Sequence, residues 1–142
     1  AAIARSPHGT DLRALRNCTP FNEEPACILE LSDCSVVTSS IYERCFTDEY
    51  GNIHHHIVDP RTGRPSNSDL ASATVVSKQS IDGDGFSTAL LIMGGYWAKN
   101  YAEGHPNLEA VLITRDGQIE ATSGIREAMG CVAGGAESHT LF

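Results

Sequence analysis

Several protein classes are excluded by what this sequence does not contain. No apolar run approaches the ~20 residues that a helix needs to cross a bilayer. No basic opening leads into an apolar stretch, so no secretory leader is expected within these residues. None of the five cysteines, Cys18, Cys27, Cys34, Cys45 and Cys131, stands in a C-x-x-C pair, which argues against zinc knuckles and thioredoxin-like redox chemistry. Their odd number prevents complete pairing within the chain, so buried or free thiols are expected rather than a disulfide framework. Basic residues are also few. Ten Lys and Arg stand against eighteen Asp and Glu, for a net charge of −8 with the histidines neutral. Such a surface disfavours nucleic acid and anionic membranes as partners. It leaves a phosphate ligand open, because a divalent cation can bridge carboxylates to phosphate oxygens.

What remains is the composition of one globular domain. The 142 residues are 41% hydrophobic and 20% charged, with 13 glycines to make turns. No internal repeat or linker divides the chain, so 1–142 is expected to form a single domain. It begins with Ala1 rather than methionine, which suggests a processed chain or a piece of a longer one.

Residues 1–25 carry Pro7, Pro20 and Pro25 and read as irregular, with one short strand at Ala2–Arg5. Ala26–Ser32 alternates as a strand, and Ser35–Ser39 is a second short apolar run. Tyr42–Phe46 and Asn52–Val58 flank a turn closed by Gly51, the pattern of a hairpin. Asp59–Pro65 holds two prolines and a glycine and reads as an ordered loop. Ala71–Ser77 is β-branched and strand-like. Ile81–Glu103 is the strongest helix, with Ser80 as N-cap and Asp82 and Asp84 at its positive end. Leu91, Met93 and Trp97 are expected on its core face, Gly94-Gly95 is a point of kinking or interruption, and Gly104-His-Pro106 ends it. Leu108–Thr114 and Ile119–Thr122 form a second hairpin around Asp116-Gly117. Gly124–Gly130 has room for one helical turn, and the glycine-rich tail Cys131–Phe142 reads as loose. The order predicts an α+β fold: an antiparallel or mixed sheet with one long helix packed on it.

Three constellations carry chemistry. In His54-His55-His56-Ile-Val-Asp59-Pro-Arg61-Thr62-Gly63, a strand over 52–58 puts His54 and His56 on one face. With Asp59 they have the donors for a transition metal; the plainer reading packs one histidine and solvates the others. The adjoining loop favours an anion. Arg61 offers a planar fork for phosphate, Thr62 and the backbone near Gly63 offer donors, and a neighbouring histidine titrates near neutrality, as a general base must. The second constellation is Asp82-Gly-Asp84-Gly-Phe-Ser-Thr88, in which the Asp84 carboxylate and a backbone or hydroxyl oxygen of Thr88 suit a hard divalent cation. It is not an EF-hand, since Met93 occupies the twelfth position. Read without context, its aspartates cap a helix. The third is Val36-Val-Thr38-Ser39-Ser40 with Tyr42 and Arg44, which lines either a ligand pocket or an ordinary strand edge.

Taken in order, TSSIYERCF, HHHIVDPRTGRP, ASATVVSKQSIDGDGFSTALLIMG and LEAVLITRDGQIEATSGI resemble the ApbE family of FAD:protein FMN transferases over about Leu29 to Ile125. That family's pattern runs T-S-G-x-Y-x-R, H-I-(I/L)-D-P-(R/K)-T-G, S-(V/A)-T-V-V and D-A-L-(A/S)-T-A-L. The resemblance implies an ApbE-like fold and magnesium-dependent transfer of FMN from FAD to a Thr or Ser hydroxyl of an acceptor protein, releasing AMP. It makes His56 the histidine needed for transfer, and Asp84 and Thr88 the ligands of Mg2+. Thr38, Ser39, Asp59, Arg61 and Thr62 become the candidates for contact with FAD. Gly85 and Phe86 depart from the family's Ala and Leu, and Ser40 from a glycine after Thr-Ser. The resemblance also implies that this is the C-terminal portion of the family domain, the N-terminal half being absent. Relatives are commonly exported and lipid-anchored. Two alternatives stand beside a transferase: a non-catalytic flavin-binding module or incomplete subunit, completed by a second copy or a complementary chain, and an FAD pyrophosphatase yielding FMN and AMP.

Overall fold

The computed structural model describes residues 3–5, 11–16, 25–31 and 34–128. Its centre is a five-stranded antiparallel sheet made of β1 (Ile3–Arg5), β4 (Ser35–Ser40), β9 (Leu70–Ser77), β10 (Glu109–Thr114) and β11 (Ile119–Ala121), in that spatial order. Of the antiparallel and mixed sheets expected, the antiparallel one is realised. Every residue of β9 is buried. Its small and β-branched residues (Leu-Ala-Ser-Ala-Thr-Val-Val-Ser) leave room for a layer on each side.

Register then sorts the side chains. Val37 lies opposite Val75 and Ser39 opposite Ala73. Leu70, Ala73, Val75, Ala110 and Leu112 share one core with Leu90, Leu91, Ala98 and Ala102 from the helices. The alternate residues Val36, Val76 and Val111 face away and form a second core with Leu29, Ala121 and Ile125. Thr38, paired with Thr74 between Val36 and the strand end, belongs to this second face.

The long helix is interrupted at the glycine pair expected to kink or break it, giving two. α1 (Ser80–Met93) and α2 (Gly95–Gly104) meet at Gly94, whose φ of 86° and ψ of 158° are open only to glycine. Asp69 fixes the break. Its Oδ1 accepts the Gly95 N–H at 2.9 Å, and a Cβ on Gly94 would meet that same oxygen at 2.9 Å. The N-cap of α1 is Gln79 without a side-chain hydrogen bond; Ser80 is the first helical residue, not the cap. Leu91 is in the core as expected, but Met93 and Trp97 are 40% and 68% exposed. The break turns the helical stripe, so residues beyond Met93 follow a different axis.

Smaller elements also depart from expectation. β2 (Asp11–Arg16) pairs with β3 (Pro25–Leu31), a strand within a stretch expected to be irregular. The hairpin at 42–58 forms, but its strands are only β5 (Cys45–Thr47) and β6 (Ile53–His55). The loop at 59–65 is itself a small hairpin of β7 (Val58–Asp59) and β8 (Arg64–Pro65), turned by Gly63 at φ 67°. α3 (Ser123–Ala128) lies where one helical turn was expected. Cys45 is a free, exposed thiol. The tail expected to be loose lies outside the described residues.

α1 sits unusually close to β4. A Cβ on Gly83 would fall 2.7 Å from Val37 Cγ2. Gly83→Ala is therefore expected to destabilise the protein by about 1–3 kcal/mol despite alanine's better helix propensity. Leu90→Ala, at a fully buried site, should cost about 2–5 kcal/mol. Urea denaturation checks both; a Gly83→Ala variant as stable as the parent would contradict the close approach.

Candidate functional site

The same close approach brings β4 and α1 within hydrogen-bond reach. Ser39 Oγ lies 2.9 Å from Ser87 Oγ and 3.0 Å from Thr88 Oγ1. Within α1, Ser87 Oγ and Thr88 Oγ1 donate to the Asp84 carbonyl at 3.2 and 3.4 Å. Ser39 and Ser87 are buried, Thr88 half-buried and Asp84 exposed. Among the described residues the Asp84 carboxylate has no hydrogen bond or ion pair. Asp84 and Thr88, four residues apart, present their oxygens on one helical face. Ser87 was not singled out in the sequence; its place three residues after Asp84 is ordinary helix spacing, and only the fold sets it against Ser39. Thr38 and Ser39 point to opposite faces of the sheet. The Thr38 hydroxyl bonds Thr74 Oγ1 at 2.9 Å.

The histidine segment is built from a turn and an anchor. Asp48 organises the turn: its carboxylate accepts the N–H groups of Tyr50 and Asn52 at 2.9 and 2.8 Å, the Asn52 amide, and His54 Nε2 at 2.9 Å. These bonds, that from His54 foremost, hold its pKa well below the usual carboxylate range. His54 stacks on Phe46 with ring centroids 5.0 Å apart. His55 turns inward and is buried. β6 ends there, so His56 follows in a bend, exposed, with Nδ1 3.4 Å from the Arg44 carbonyl. Among the described residues, no group of three or more His, Cys, Asp or Glu is placed to hold a metal ion. Ile57, one residue on, is buried in the core that α1 covers and fastens the segment beneath that helix.

Asp59 and Arg61 form a fork-to-fork pair. Arg61 Nε donates to Oδ1 at 3.0 Å, Nη2 to Oδ2 at 2.8 Å, and the Arg61 backbone N–H to Oδ1 at 2.9 Å. Hydrogen bonding to Arg61 lowers the Asp59 pKa, and the same pairing raises that of Arg61. The Arg61 side chain is still 76% exposed, and Nη1 is the guanidinium nitrogen that Asp59 leaves for another oxygen. Thr62 accepts the Arg64 N–H at 3.2 Å through Oγ1, and the Thr62 and Gly63 N–H groups close onto the Asp59 carbonyl at 3.1 and 2.8 Å. No hydrogen bond among the described residues joins His56, Asp59, Arg61 or Thr62 to Asp84 or Thr88. The two groups are linked through Ile57 and the shared core.

An antiparallel sheet carrying an oxygen-rich helix on one face, with a D-P-R-T-G turn fastened beneath, defines the class of fold. Comparison with known proteins gives the family. A model of the ApbE family matches residues 8–112. An FAD:protein FMN transferase of Treponema pallidum is 35% identical over 121 residues, covering 85% of this chain and 30% of that protein. One from Klebsiella pneumoniae is 37% identical over 106 residues, 73% of this chain and 33% of that protein. The crystal structure of an ApbE protein from Thermotoga maritima superposes with a TM-score of 0.75 at 25% identity, covering 85% of this chain and 38% of that one. Flavin transferase ApbE from Vibrio cholerae superposes at 0.63 with 26% identity, covering 84% and 37%. The chain belongs to the ApbE family. It spans about a third of the length of the curated relatives it matches.

His55 generates a pH dependence. Its Nε2 lies 3.0 Å from the Ser66 carbonyl, which only accepts, so Nε2 carries the proton. Nδ1 is buried without a hydrogen-bond partner among the described residues. Burial foremost, and then the charge of Arg115, push the His55 pKa below its usual value of 6.5. The unfolded chain therefore takes up a proton first as pH falls. The His55 contribution is fully present above about pH 6.5 and is lost as pH drops towards the lower folded pKa. Denaturant midpoints measured from pH 8 to 5 should fall for the parent and fall less for His55→Gln. Parallel pH profiles for the two proteins would contradict the assignment.

Proposed function

We propose that this chain is the part of an FAD:protein FMN transferase that carries its transfer histidine and cation-binding oxygens. The observation supporting it best is the Asp84–Thr88 pair: a carboxylate without a partner among the described residues and a hydroxyl one turn apart, in a chain whose relatives are named for flavin transfer. Both are hard oxygen donors, and Ser39 and Ser87 beside them are hydroxyls too, so the donor set fits Mg2+ rather than a thiophilic metal. Asp84 and Thr88 would hold the ion. Bound Mg2+ would neutralise charge on the pyrophosphate of FAD.

The remaining residues have separate tasks. Arg61 offers Nη1 to a phosphate oxygen, while Asp59 holds the guanidinium plane fixed. Thr62 and the backbone around Gly63 shape the turn that presents it. Ser39 acts from β4 on the α1 side, whereas the Thr38 hydroxyl, engaged with Thr74 on the far face, contributes to the sheet. His56, exposed beside this turn, takes the proton from the acceptor's Thr or Ser hydroxyl. The hydroxyl oxygen attacks the FMN-side phosphorus. A new P–O bond forms, the bond to the bridging oxygen breaks, and AMP leaves with that oxygen.

A second reading has this chain complete a flavin site with a second copy or another chain. Hydrolysis of FAD to FMN and AMP is the same chemistry with water as acceptor.

Flavin fluorescence separates these readings, because stacked adenine quenches the flavin in FAD and cleavage releases it. With FAD and Mg2+ the protein should give a slow rise in emission, and His56→Ala or Asp84→Ala should slow it by about 100-fold or more. An immediate change that then holds would mean binding without turnover. A flavin bound covalently to added acceptor protein, seen by in-gel fluorescence, would distinguish transfer from hydrolysis.

A further inference from the structure

We propose that Ser39 is a positioning residue that aims the Thr88 hydroxyl at a hard cation, through a directed chain of hydroxyls ending on the Asp84 carbonyl. This inference rests on the reading of Asp84 and Thr88 as cation-binding residues. Each hydroxyl has one proton to give and lone pairs to receive. Two of them, Ser87 and Thr88, compete for the Asp84 carbonyl, and Ser87 makes the shorter contact, 3.2 against 3.4 Å. When Ser87 donates there, its oxygen is free to accept from Ser39 at 2.9 Å. The Ser39 oxygen is then free to accept from Thr88 at 3.0 Å. In this order, Thr88 to Ser39 to Ser87 to Asp84, every proton is placed. Thr88 Oγ1 keeps lone pairs for an ion held by the Asp84 carboxylate.

The reverse order sends the Ser39 proton onto Thr88 Oγ1 and occupies a lone pair. A cation near Thr88 repels that proton, so binding selects the first order. Ser39 and Ser87 are 7% and 0% exposed, so water does not stand in for either. Ser39 is also held rigidly, opposite Ala73 in the β4–β9 ladder. Without its oxygen, Thr88 has only the Asp84 carbonyl to donate to, at the longer distance, and the lone pairs rotate away. This goes beyond a ligand assignment: Ser39 acts through the Thr88 hydroxyl.

The test is Mg2+ titration calorimetry without FAD, paired with melting temperature in EDTA. Ser39→Ala should weaken Mg2+ binding by about tenfold or more, as losses of ligand-orienting partners do. Ser39→Cys, of similar size but a weak hydrogen-bond partner, should give the same loss and serves if the alanine variant does not fold. Ser87→Ala leaves the Thr88–Ser39 bond intact and should lose less. In a Thr88→Val background, Ser39→Ala should weaken binding no further, since it acts through Thr88. If Asp84→Ala abolishes Mg2+ binding while Ser39→Ala and Ser39→Cys only lower the EDTA melting temperature, Ser39 is structural and the proposal is overturned. If Asp84→Ala and Thr88→Val bind Mg2+ as the parent does, the cation-binding reading itself fails, and the proposal with it.

Discussion

The approach of α1 to β4, closer than a methyl group at residue 83 allows, is the constraint on which the site depends. Gly83 against Val37 sets the separation of helix and sheet. At that separation Ser39 reaches two consecutive residues of α1 at once. The same contact leaves Asp84 exposed on the outer side of the helix. A wider gap would need larger side chains between the layers, and the short serine hydroxyls would no longer meet. Packing and chemistry are therefore set by one missing side chain.

A second constraint works at the other end of α1. Asp69 caps α2 through the Gly95 N–H, while its own carbonyl receives the Arg115 N–H at 2.9 Å. One residue thus ties the start of β9, the break between the helices and the turn after β10. The break lets α1 follow β4 and β9 while α2 turns to cover β10. It also leaves Tyr96 and Trp97 outside the core. The histidine turn has its own local supports in Asp48 and the Asp59–Arg61 pair. It reaches the rest of the molecule through Ile57, which lies in the core that α1 closes.

Much of this was legible locally. The β-branched run at 71–77, the Asp-Gly turn at 116–117 and the hairpin around Gly51 form where their residues favour them, because strand alternation and turn glycines act over few residues. The motif residues His56, Asp59, Arg61, Asp84 and Thr88 were likewise visible as a pattern. What failed were inferences needing distant partners. Ser80 looked like a cap, but the chain enters the helix one residue earlier, at Gln79. Trp97 looked like core, but the Asp69-stabilised break redirects the axis that would bury it, and Met93, expected beside it, is exposed at the end of α1. The strand at Asp11–Arg16 was hidden because its definition comes from pairing with β3 rather than from its own alternation.

The family, the α+β class and the residue types offered to a ligand were readable from the chain alone, because they rest on the order of its motifs and on local propensity. Tertiary structure alone decided which of those groups are free and which are engaged. It turned His55 inward and left His56 outside, took two guanidinium nitrogens of Arg61 for Asp59, sent Thr38 and Ser39 to opposite faces, and joined Ser39 to Ser87 and Thr88. The physical reason is that a hydroxyl or imidazole has few hydrogen-bonding positions. Which partner fills them depends on what the fold brings within about 3 Å, often from residues tens of positions away.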